Sequence, residues 1–312
     1  MKISIIIPNY NGAKLIRKNL PDVIKSLDGY RQASITVVDD GSKKEDLIEL
    51  RKSLDVINMS SKLPVSLIER EQNGGFSSAV NTGVKNTKAE LVFLLNSDAV
   101  PYKGFIEPLL ERFKADENLF GVGCMDISIE ESGEVKRGRG VAFWKKGILR
   151  HRKGDTNSEN TFWISGGSCM IRRDLYEKLG GMDEIYNPFY WEDIDLSYRA
   201  QKSGYKILFE KKSKVEHRHD EGSIKSNFKK NKVTTIVYRN QFIFHWKNIT
   251  DFNLLFSHFF WLPFHLINAV INLDTNLIKG FFLALGRLPD IIKNRKKQKK
   301  LFIKRDTEII NG

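Results

Sequence analysis

Three short clusters of carboxylates have the residue types and spacing that ligand binding or catalysis would use. Two of the clusters directly follow an apolar run that is predicted to be a strand. The third begins a predicted helix. The clusters are Asp39-Asp40, Asn96-Ser97-Asp98 and Glu192-Asp193. A carboxylate beyond a buried strand can accept hydrogen bonds from a ribose or ligate Mg²⁺ or Mn²⁺. The first two clusters are also typical of turns and helix caps.

The third cluster has an aromatic setting. Residues 189–191 are Phe, Tyr and Trp, and the acidic Glu192, Asp193 and Asp195 follow at the start of a predicted helix. Acidic residues in a first turn interact favourably with the helix dipole, which accounts for Asp195. Neighbouring aromatic rings can desolvate a carboxylate and raise its pKa, as a general base requires.

His217 is a fourth candidate for chemistry. It ends a predicted strand, and His219 follows two residues later on the same side of the extended chain. A neutral imidazole can complete a divalent-metal site. The sequence does not have the Cys and His spacing that zinc sites use.

Alternating strands and helices would position these clusters. Four apolar runs are predicted to be buried strands separated by helices, which indicates a parallel, doubly wound sheet. The runs are residues 3–7, 34–38, 65–68 and 91–95. Ligands bind such sheets at the carboxyl ends of the strands, where the clusters lie. Further along, residues 122–129 and 135–144 are predicted as antiparallel strands, and residues 145–160 as a basic loop.

Composition limits the organisation of the chain. Its 312 residues suffice for one large α/β domain and an appendage. The formal net charge is +13, and residues 206–312 hold 21 Lys and Arg against 9 Asp and Glu. Because Cys124 and Cys169 are the only cysteines, no disulfide framework is expected. The apolar run at residues 3–7 is too short for a signal sequence, which predicts a cytoplasmic location.

The basic last third also contains apolar segments. Residues 225–246 are predicted as one helix, residues 252–273 hold no charged side chain, and residues 293–305 hold eight basic residues. This pattern favours helices that lie on an anionic membrane surface, at the inner face of the cell membrane. The alternatives are a spanning helix, a dimer interface or packing against the preceding domain. Nucleic acid binding is not favoured, because no recognition motif is present.

Six motifs occur in a fixed order along the chain. They are Pro8-Asn9-Tyr10-Asn11, Val37-Val38-Asp39-Asp40-Gly41-Ser42, Asn73-Gly74-Gly75-Phe76, Asn96-Ser97-Asp98, Gly166-Gly167-Ser168 and Trp191-Glu192-Asp193-Ile194-Asp195-Leu196. Together they resemble the family 2 glycosyltransferases with the GT-A fold, in particular the bacterial rhamnosyltransferase-like branch. The resemblance implies an α/β GT-A domain with a doubly wound mixed sheet at residues 1–222. A helical, membrane-associating extension would occupy residues 223–312.

The resemblance also implies an activity and its residues. The activity is inverting transfer of a hexose-type sugar from a nucleoside-diphosphate sugar, UDP- or dTDP-linked, to a hydroxyl of a glycan or lipid-linked acceptor in cell-surface polysaccharide synthesis. The implied donor-binding residues are Pro8, Tyr10, Asp39, Asp40, Asn73, Gly75, Asn81, Asn96 and Ser97. The implied ligands of Mn²⁺ or Mg²⁺ are Asp98 and His217. The implied catalytic residues are Asp193 and Glu192, and the implied acceptor pocket is Gly166, Gly167 and Trp191.

One position departs from the family pattern. Asn96 stands where the family's metal-binding motif begins with Asp, and its amide supplies less charge to a cation. An inactive sugar-nucleotide-binding homologue is therefore one alternative, and a nucleotidyltransferase is another. A nucleotidyltransferase would use a glycine-rich, basic loop after the first strand, where this sequence has Pro8-Asn9-Tyr10-Asn11-Gly12.

Overall fold

Eleven strands form two sheets in the part of the chain that the computed structural model describes, residues 1–61, 63–130, 133–217 and 228–310. They are β1 (Ile3–Asn9), β2 (Ala33–Asp39), β3 (Val65–Glu69), β4 (Leu91–Leu95), β5 (Ala99–Pro101), β6 (Leu119–Glu130), β7 (Gly133–Arg137), β8 (Gly140–Lys145), β9 (Ile148–Lys153), β10 (Ser168–Arg172) and β11 (Lys206–His217). The larger sheet has the order β3-β2-β1-β4-β10-β6-β11-β5, with β7 paired to β6.

Eleven α-helices accompany these strands within the same described residues. They are α1 (Ala13–Ser26), α2 (Lys44–Ser60), α3 (Phe76–Lys85), α4 (Ile106–Ala115), α5 (Arg173–Lys178), α6 (Glu192–Lys202), α7 (Lys230–Asn248), α8 (Phe252–Ile271), α9 (Thr275–Leu285), α10 (Leu288–Lys299) and α11 (Asp306–Ile310). A short 3₁₀ turn at Glu184–Tyr186 precedes α6.

The predicted parallel half of the sheet is confirmed. β1 lies between β2 and β4, β2 pairs with β3, and all three pairings are parallel. Ile5 and Ile7 belong to one core cluster and Ile6 to another, so both faces of β1 are covered. Double coverage requires the continuous apolar runs that the sequence shows. Beyond β4 the sheet becomes mixed, because β10 is antiparallel to both of its neighbours.

The middle of the chain differs from the sequence-based expectation. The strand predicted at 135–144 is two strands: β7 pairs with β6, whereas β8 pairs with β9 in the small sheet. The extended conformation is interrupted at Gly138, where φ is +119° and an added Cβ would lie 2.2 Å from the carbonyl oxygen of Cys124. The predicted loop at 145–160 contains β9. Only Ile148 and Leu149 of this strand are buried, so it lacks the alternation that marks a strand.

Buried ion pairs attach the C-terminal helices to the rest of the protein. Lys247 on α7 binds Asp195 on α6 at 2.8 Å and Asp183 at 2.5 Å, and Lys202 on α6 binds Asp306 on α11 at 2.6 Å. The same hydrophobic cluster includes residues of α6, α7, α10 and α11. The described part of the extension therefore shares a core with the sheet domain. The predicted domain boundary at 222/223, the first residues of the predicted helix at 225–246 and His219 lie outside the described residues.

Helices α8 and α9 present apolar side chains to solvent. The exposed residues of this surface are Phe252, Phe256, Phe259, Phe260, Phe264, Ile267, Val270, Ile271, Leu273, Phe282, Leu283 and Leu285. Among the described helices, α8 is long and apolar enough to cross a membrane. Only 17% of its most apolar 18-residue stretch is buried. A core helix of a soluble protein would bury most of such a face.

The buried ion pair of Lys247 predicts a large stability effect. We expect Lys247→Met to lower the free energy of unfolding by about 3 kcal/mol or more, because it leaves the buried Asp195 and the half-buried Asp183 without this cation. Urea unfolding followed by circular dichroism measures the change. The control Lys206→Met removes an exposed pair with Asp116 and should cost less than about 1 kcal/mol. Equal losses for the two variants would contradict the role of the buried pair.

Candidate functional site

A cavity of about 590 Å³ lies at the carboxyl ends of β1, β2 and β4. Thirteen of the sixteen residues singled out from the sequence line it. They are Pro8, Tyr10, Asp40, Asn73, Gly75, Asn96, Ser97, Asp98, Gly166, Gly167, Glu192, Asp193 and His217. The carboxyl ends of parallel strands meet at one edge of the sheet, which is why residues far apart in sequence converge here.

Asp40 fixes the loop on one side of the cavity. Its carboxylate accepts hydrogen bonds from the backbone N–H groups of Gly74 (3.0 Å) and Gly75 (2.7 Å) and pairs with Arg70 at 2.8 Å. Burial raises the pKa of Asp40, although these hydrogen bonds and Arg70 act in the opposite direction. Gly75 has φ of +88°, and an added Cβ would lie 2.8 Å from Cα of Pro188. The loop thus requires glycine to pack against the opposite wall.

Three residues expected to contact ligands lie behind the lining instead. Asp39 is fully buried and binds the side chains of Asn9 and Ser42 at 2.9 and 2.6 Å. Asn81 exchanges hydrogen bonds with the backbone of Met182 at 2.9 and 3.0 Å. Trp191 is buried, and its ring packs 5.2 Å from that of Phe244 on α7. Each of the three therefore has contacts within the protein, and its part in ligand binding stays a prediction.

Asp98 and His217 meet although 119 residues separate them in sequence. His217 lies opposite Ala99 where β11 pairs with β5, and its Nε2 is 3.1 Å from Oδ1 of Asp98. On its other side, Nδ1 is 2.7 Å from Oδ2 of Asp126. Burial by itself would lower the pKa of His217, but the hydrogen bonds and charges of Asp126 and Asp98 raise this pKa to about 9.

Sequence reasoning missed the residues behind His217. Ser128 donates to Asp126 at 2.9 Å, and Arg137 donates to Ser128 at 3.1 Å, so a hydrogen-bonded chain runs from Asp98 to Arg137. Arg137 lines the cavity and is its only Lys or Arg within the described residues. A signal for Asp126 and Ser128 was present in the sequence: they are polar residues two apart that interrupt the apolar run from Leu119 to Ile129.

The chemistry of this end of the cavity suits a hard divalent cation. Asp98 offers a carboxylate and His217 an imidazole nitrogen, and Asp126 orients the ring as carboxylates orient metal-binding histidines. No group of three His, Cys, Asp or Glu side chains that could hold a metal occurs in the described parts of the chain. Two protein ligands fit Mg²⁺ or Mn²⁺, since such ions keep waters and phosphate oxygens in their shell.

Gly166 and Gly167 lie between the pair of Asp98 and His217 and the carboxylates of α6. The N–H of Gly166 is 3.4 Å from Oδ2 of Asp193. A Cβ added to Gly167 would lie 2.6 Å from Nδ2 of Asn96 and 3.3 Å from Cε1 of His217. Any side chain at position 167 would therefore enter the space between these groups. The glycine pair keeps the floor of the cavity open.

Glu192 and Asp193 form the other polar end at the start of α6. Glu192 is buried, and its Oε2 has no hydrogen-bond partner among the described residues. Burial, together with the charge of Asp193, raises the pKa of Glu192 well above its usual range. Burial also raises the pKa of Asp193, against the hydrogen bonds from Ile194 and Gly166. A half-buried carboxylate with a raised pKa can accept a proton from a hydroxyl group.

Asp195 has a different task from its two acidic neighbours. It is fully buried away from the cavity and binds Arg199 (2.7 Å), Lys247 (2.8 Å), Asn248 (2.7 Å) and Tyr186 (2.8 Å). Burial would raise its pKa, but Lys247 and Arg199 outweigh burial and lower the pKa to about 2. The sequence prediction of a structural role for Asp195 agrees with this geometry, although its main partners are side chains.

The strand order and the position of the cavity define a domain with the GT-A fold. Two solved structures share this fold. One is GalNAc-T7 with UDP, GalNAc and Mn²⁺, at TM-score 0.62 and 19% identity, covering 79% of this chain and 48% of that one. The other is the mannosyltransferase PcManGT from Pyrobaculum calidifontis with GDP-Man and Mn²⁺, at TM-score 0.58 and 18% identity, covering 96% and 84%.

Sequence comparison gives the family. The model of glycosyl transferase family 2 matches residues 4–180, more than half of the chain, and the protein belongs to this family. It is 25% identical over 216 residues to polypeptide N-acetylgalactosaminyltransferase 13 of Homo sapiens, a match that covers 64% of this chain and 38% of that protein. It is also 25% identical over 224 residues to O-antigen chain rhamnosyltransferase RfbN of Salmonella typhimurium, covering 70% and 67%. The chain thus spans less than half of the first relative.

The raised pKa of Glu192 predicts a pH-dependent stability effect. The folded state binds this proton more tightly than the unfolded state, so ionisation of Glu192 costs stability as pH rises above the usual carboxyl range. We expect Glu192→Gln to raise the free energy of unfolding at about pH 8 and to change it little at about pH 4. Urea titrations at the two pH values measure this difference. The control Glu177→Gln alters an exposed residue paired with Arg173. A pH-independent effect of Glu192→Gln would contradict the assignment.

Proposed function

We propose that this protein is an inverting glycosyltransferase that moves a sugar from a nucleoside-diphosphate sugar to an acceptor hydroxyl. The observation that carries the proposal is the arrangement around the glycine pair. Gly166 contacts Asp193 and Gly167 adjoins Asn96 and His217, so a base and a pair of cation ligands face one open floor. A sugar on this floor would have its leaving group beside the cation ligands and its acceptor beside the base.

The comparisons support the donor class. The solved structures with the same fold carry UDP, or GDP-mannose, together with Mn²⁺. By analogy, Asp98 and His217 would hold a divalent cation here, with Asn96 beside them. Such a cation neutralises the negative charge that develops on a departing diphosphate. Arg137 supplies a further positive charge to the same cavity. A UDP- or dTDP-linked sugar remains the proposed donor.

The proposed chemistry uses Asp193 as the general base. Its carboxylate lines the cavity, and burial raises its pKa, which strengthens its hold on a proton taken from the acceptor hydroxyl. The hydroxyl oxygen attacks the anomeric carbon as the bond to the diphosphate oxygen breaks on the opposite face. This in-line displacement inverts the anomeric centre. Glu192 stays protonated next to Asp193, because two adjacent buried carboxylates do not both ionise readily.

A donor screen and one substitution test this proposal. We expect the wild-type protein with Mn²⁺ to release a nucleoside diphosphate from one sugar nucleotide when an acceptor is present. Asp193→Asn should lower this rate by at least about 100-fold, because it removes the base, while donor affinity stays unchanged. Calorimetric titration of the donor measures that affinity. Wild-type turnover by Asp193→Asn would contradict the assignment of the base.

Asp98→Ala is the matched variant, because it should weaken donor binding in the presence of Mn²⁺ and leave the base intact. Release of pyrophosphate from a nucleoside triphosphate and a sugar phosphate would instead indicate a nucleotidyltransferase. Donor binding without any transfer to glycan or lipid-linked acceptors would indicate a binding homologue.

We also propose that α8 and α9 dock on the anionic inner face of the cell membrane, where a lipid-linked acceptor is found. The exposed aromatic side chains of α8 form the apolar part of this surface. The basic α10 follows α9 directly, with three Lys in its last turn. Apolar insertion combined with attraction of basic residues to anionic headgroups is the pattern of interfacial helices. Membrane docking would bring the cavity to an acceptor used in polysaccharide synthesis.

Flotation with lipid vesicles measures membrane docking. We expect the wild-type chain to float with phosphatidylglycerol vesicles and the double variant Phe256→Ser, Phe260→Ser to lose most of this binding, because both side chains are exposed on α8. The control Val56→Ser, Met59→Ser removes exposed apolar residues of α2 and should float like wild type. Wild-type binding that resists alkaline carbonate would indicate a spanning helix. A dimer without vesicle binding would instead indicate a subunit interface.

A further inference from the structure

The backbone just before Glu192 and Asp193 is held in an unusual conformation. Residues 186–191 are called the base loop here. They run from the last residue of the 3₁₀ turn to the residue before α6. Tyr190 and Trp191 have φ values of +68° and +75°, in the left-handed region that non-glycine residues rarely adopt. Two such residues in succession persist only where the surroundings determine the conformation. The direction of the first turn of α6 depends on these two residues.

Asn240, on α7, makes most of the hydrogen bonds that hold this backbone conformation. Its side chain is fully buried, and Nδ2 lies 2.8 Å from the carbonyl oxygen of Tyr186, 3.0 Å from that of Phe189 and 2.8 Å from that of Tyr190. An amide nitrogen has two hydrogens, so the three carbonyl groups share them. One side chain thus holds both ends of the base loop.

The other carbonyl groups of the base loop accept hydrogen bonds from Arg239 and from the donor side of the cavity. Arg239 donates to the carbonyl oxygen of Asn187 at 2.6 Å and orients Asn240 by donating to its Oδ1 at 2.9 Å. The carbonyl oxygen of Pro188 accepts from the backbone N–H of Phe76 at 3.0 Å. Every carbonyl group from residue 186 to residue 190 therefore has a partner outside the base loop.

We propose that Asn240 is a positioning residue for the catalytic base. By holding the carbonyl groups of Phe189 and Tyr190, it keeps Tyr190 and Trp191 in the left-handed conformation that points Asp193 into the cavity. This proposal rests on the proposed role of Asp193. It assigns to the C-terminal extension a part in catalysis, because α7 begins eight residues beyond the predicted domain boundary.

A further consequence concerns the acceptor side of the cavity. Pro188, Phe189 and Tyr190 line the cavity, so the loop that Asn240 holds also forms the wall next to the base. The donor side contacts this loop through Phe76 and has an anchor of its own in Asp40, which accepts from the N–H groups of Gly74 and Gly75. Loss of Asn240 should therefore lower turnover and impair use of the acceptor. The affinity for the nucleotide should stay unchanged.

The experiment compares Asn240→Ala with wild type in the full chain, using the donor identified by the screen. We expect kcat to fall by at least about 100-fold, because a displacement of a catalytic group by about 1 Å can have an effect of that size. The dissociation constant of the nucleoside diphosphate with Mn²⁺ should change by less than about twofold. Asn240→Asp should not restore kcat, since it replaces the shared donor by an acceptor that faces carbonyl groups.

Gln298→Ala is the matched control. Gln298 is also a buried amide that donates to a backbone carbonyl group, that of Leu179, but it lies on α10 outside the lining of the cavity. It should lower the melting temperature and leave kcat unchanged. If Asn240→Ala does not fold, Arg239→Met serves as the second variant, because it removes the bond to Asn187 and the orienting bond to Asn240. We expect at least a tenfold loss of kcat with unchanged nucleotide affinity.

The outcomes separate this inference from the proposed function. Loss of transfer in Asp193→Asn with normal kcat in the folded Asn240 and Arg239 variants would overturn the positioning role alone. Normal transfer in Asp193→Asn would overturn the assignment of the base and the inference with it. Equal losses of kcat and of nucleotide affinity in Asn240→Ala would also overturn the inference, because they would indicate a general loss of structure.

Discussion

The buried carboxylate of Asp195 is the interaction on which the rest of the site depends. It binds Arg199 on its own helix and Lys247 and Asn248 on α7, with no exposure to solvent. Leaving such a charge without partners inside a protein is costly, so α6 and α7 have one relative position that satisfies it. That position fixes where α6 starts. It therefore also fixes Asp193, which lies two residues before Asp195 and lines the cavity.

The open floor of the cavity is a second constraint. Gly166 and Gly167 bring the backbone close to Asp193 on one side and to Asn96 and His217 on the other. Glycine gives room here, since a methyl group at position 167 would displace the side chain of Asn96. The chain from His217 through Asp126 and Ser128 to Arg137 keeps the imidazole in one orientation. Asn96 therefore stands beside an Asp98 and His217 pair that the fold has already oriented.

The C-terminal helices have two different sides. Their inner side carries buried ion pairs and the amide of Asn240, and their outer side exposes phenylalanine side chains. The inner side explains why α7 packs firmly on the base loop. The outer side has no covering element among the described residues, which is the observation behind the proposed membrane surface. The same helices would therefore link acceptor location to the geometry of the base.

The sequence by itself determined the parallel half of the sheet, because apolar runs and turn residues at strand ends are local signals. Its six ordered motifs, through their resemblance to a known family, gave the fold family and most of the cavity lining. It also singled out Asp98, His217, Glu192 and Asp193. Tertiary structure alone decided that Asp39, Asn81 and Trp191 are not among the residues that line the cavity. Asp39 and Asn81 have partners 30 and 101 residues away, and Trp191 has one on α7. Tertiary structure likewise decided the contacts of Asp126 and Asn240. A polar residue in an apolar strand or helix shows from sequence that it needs a partner, but only the folded chain shows which one.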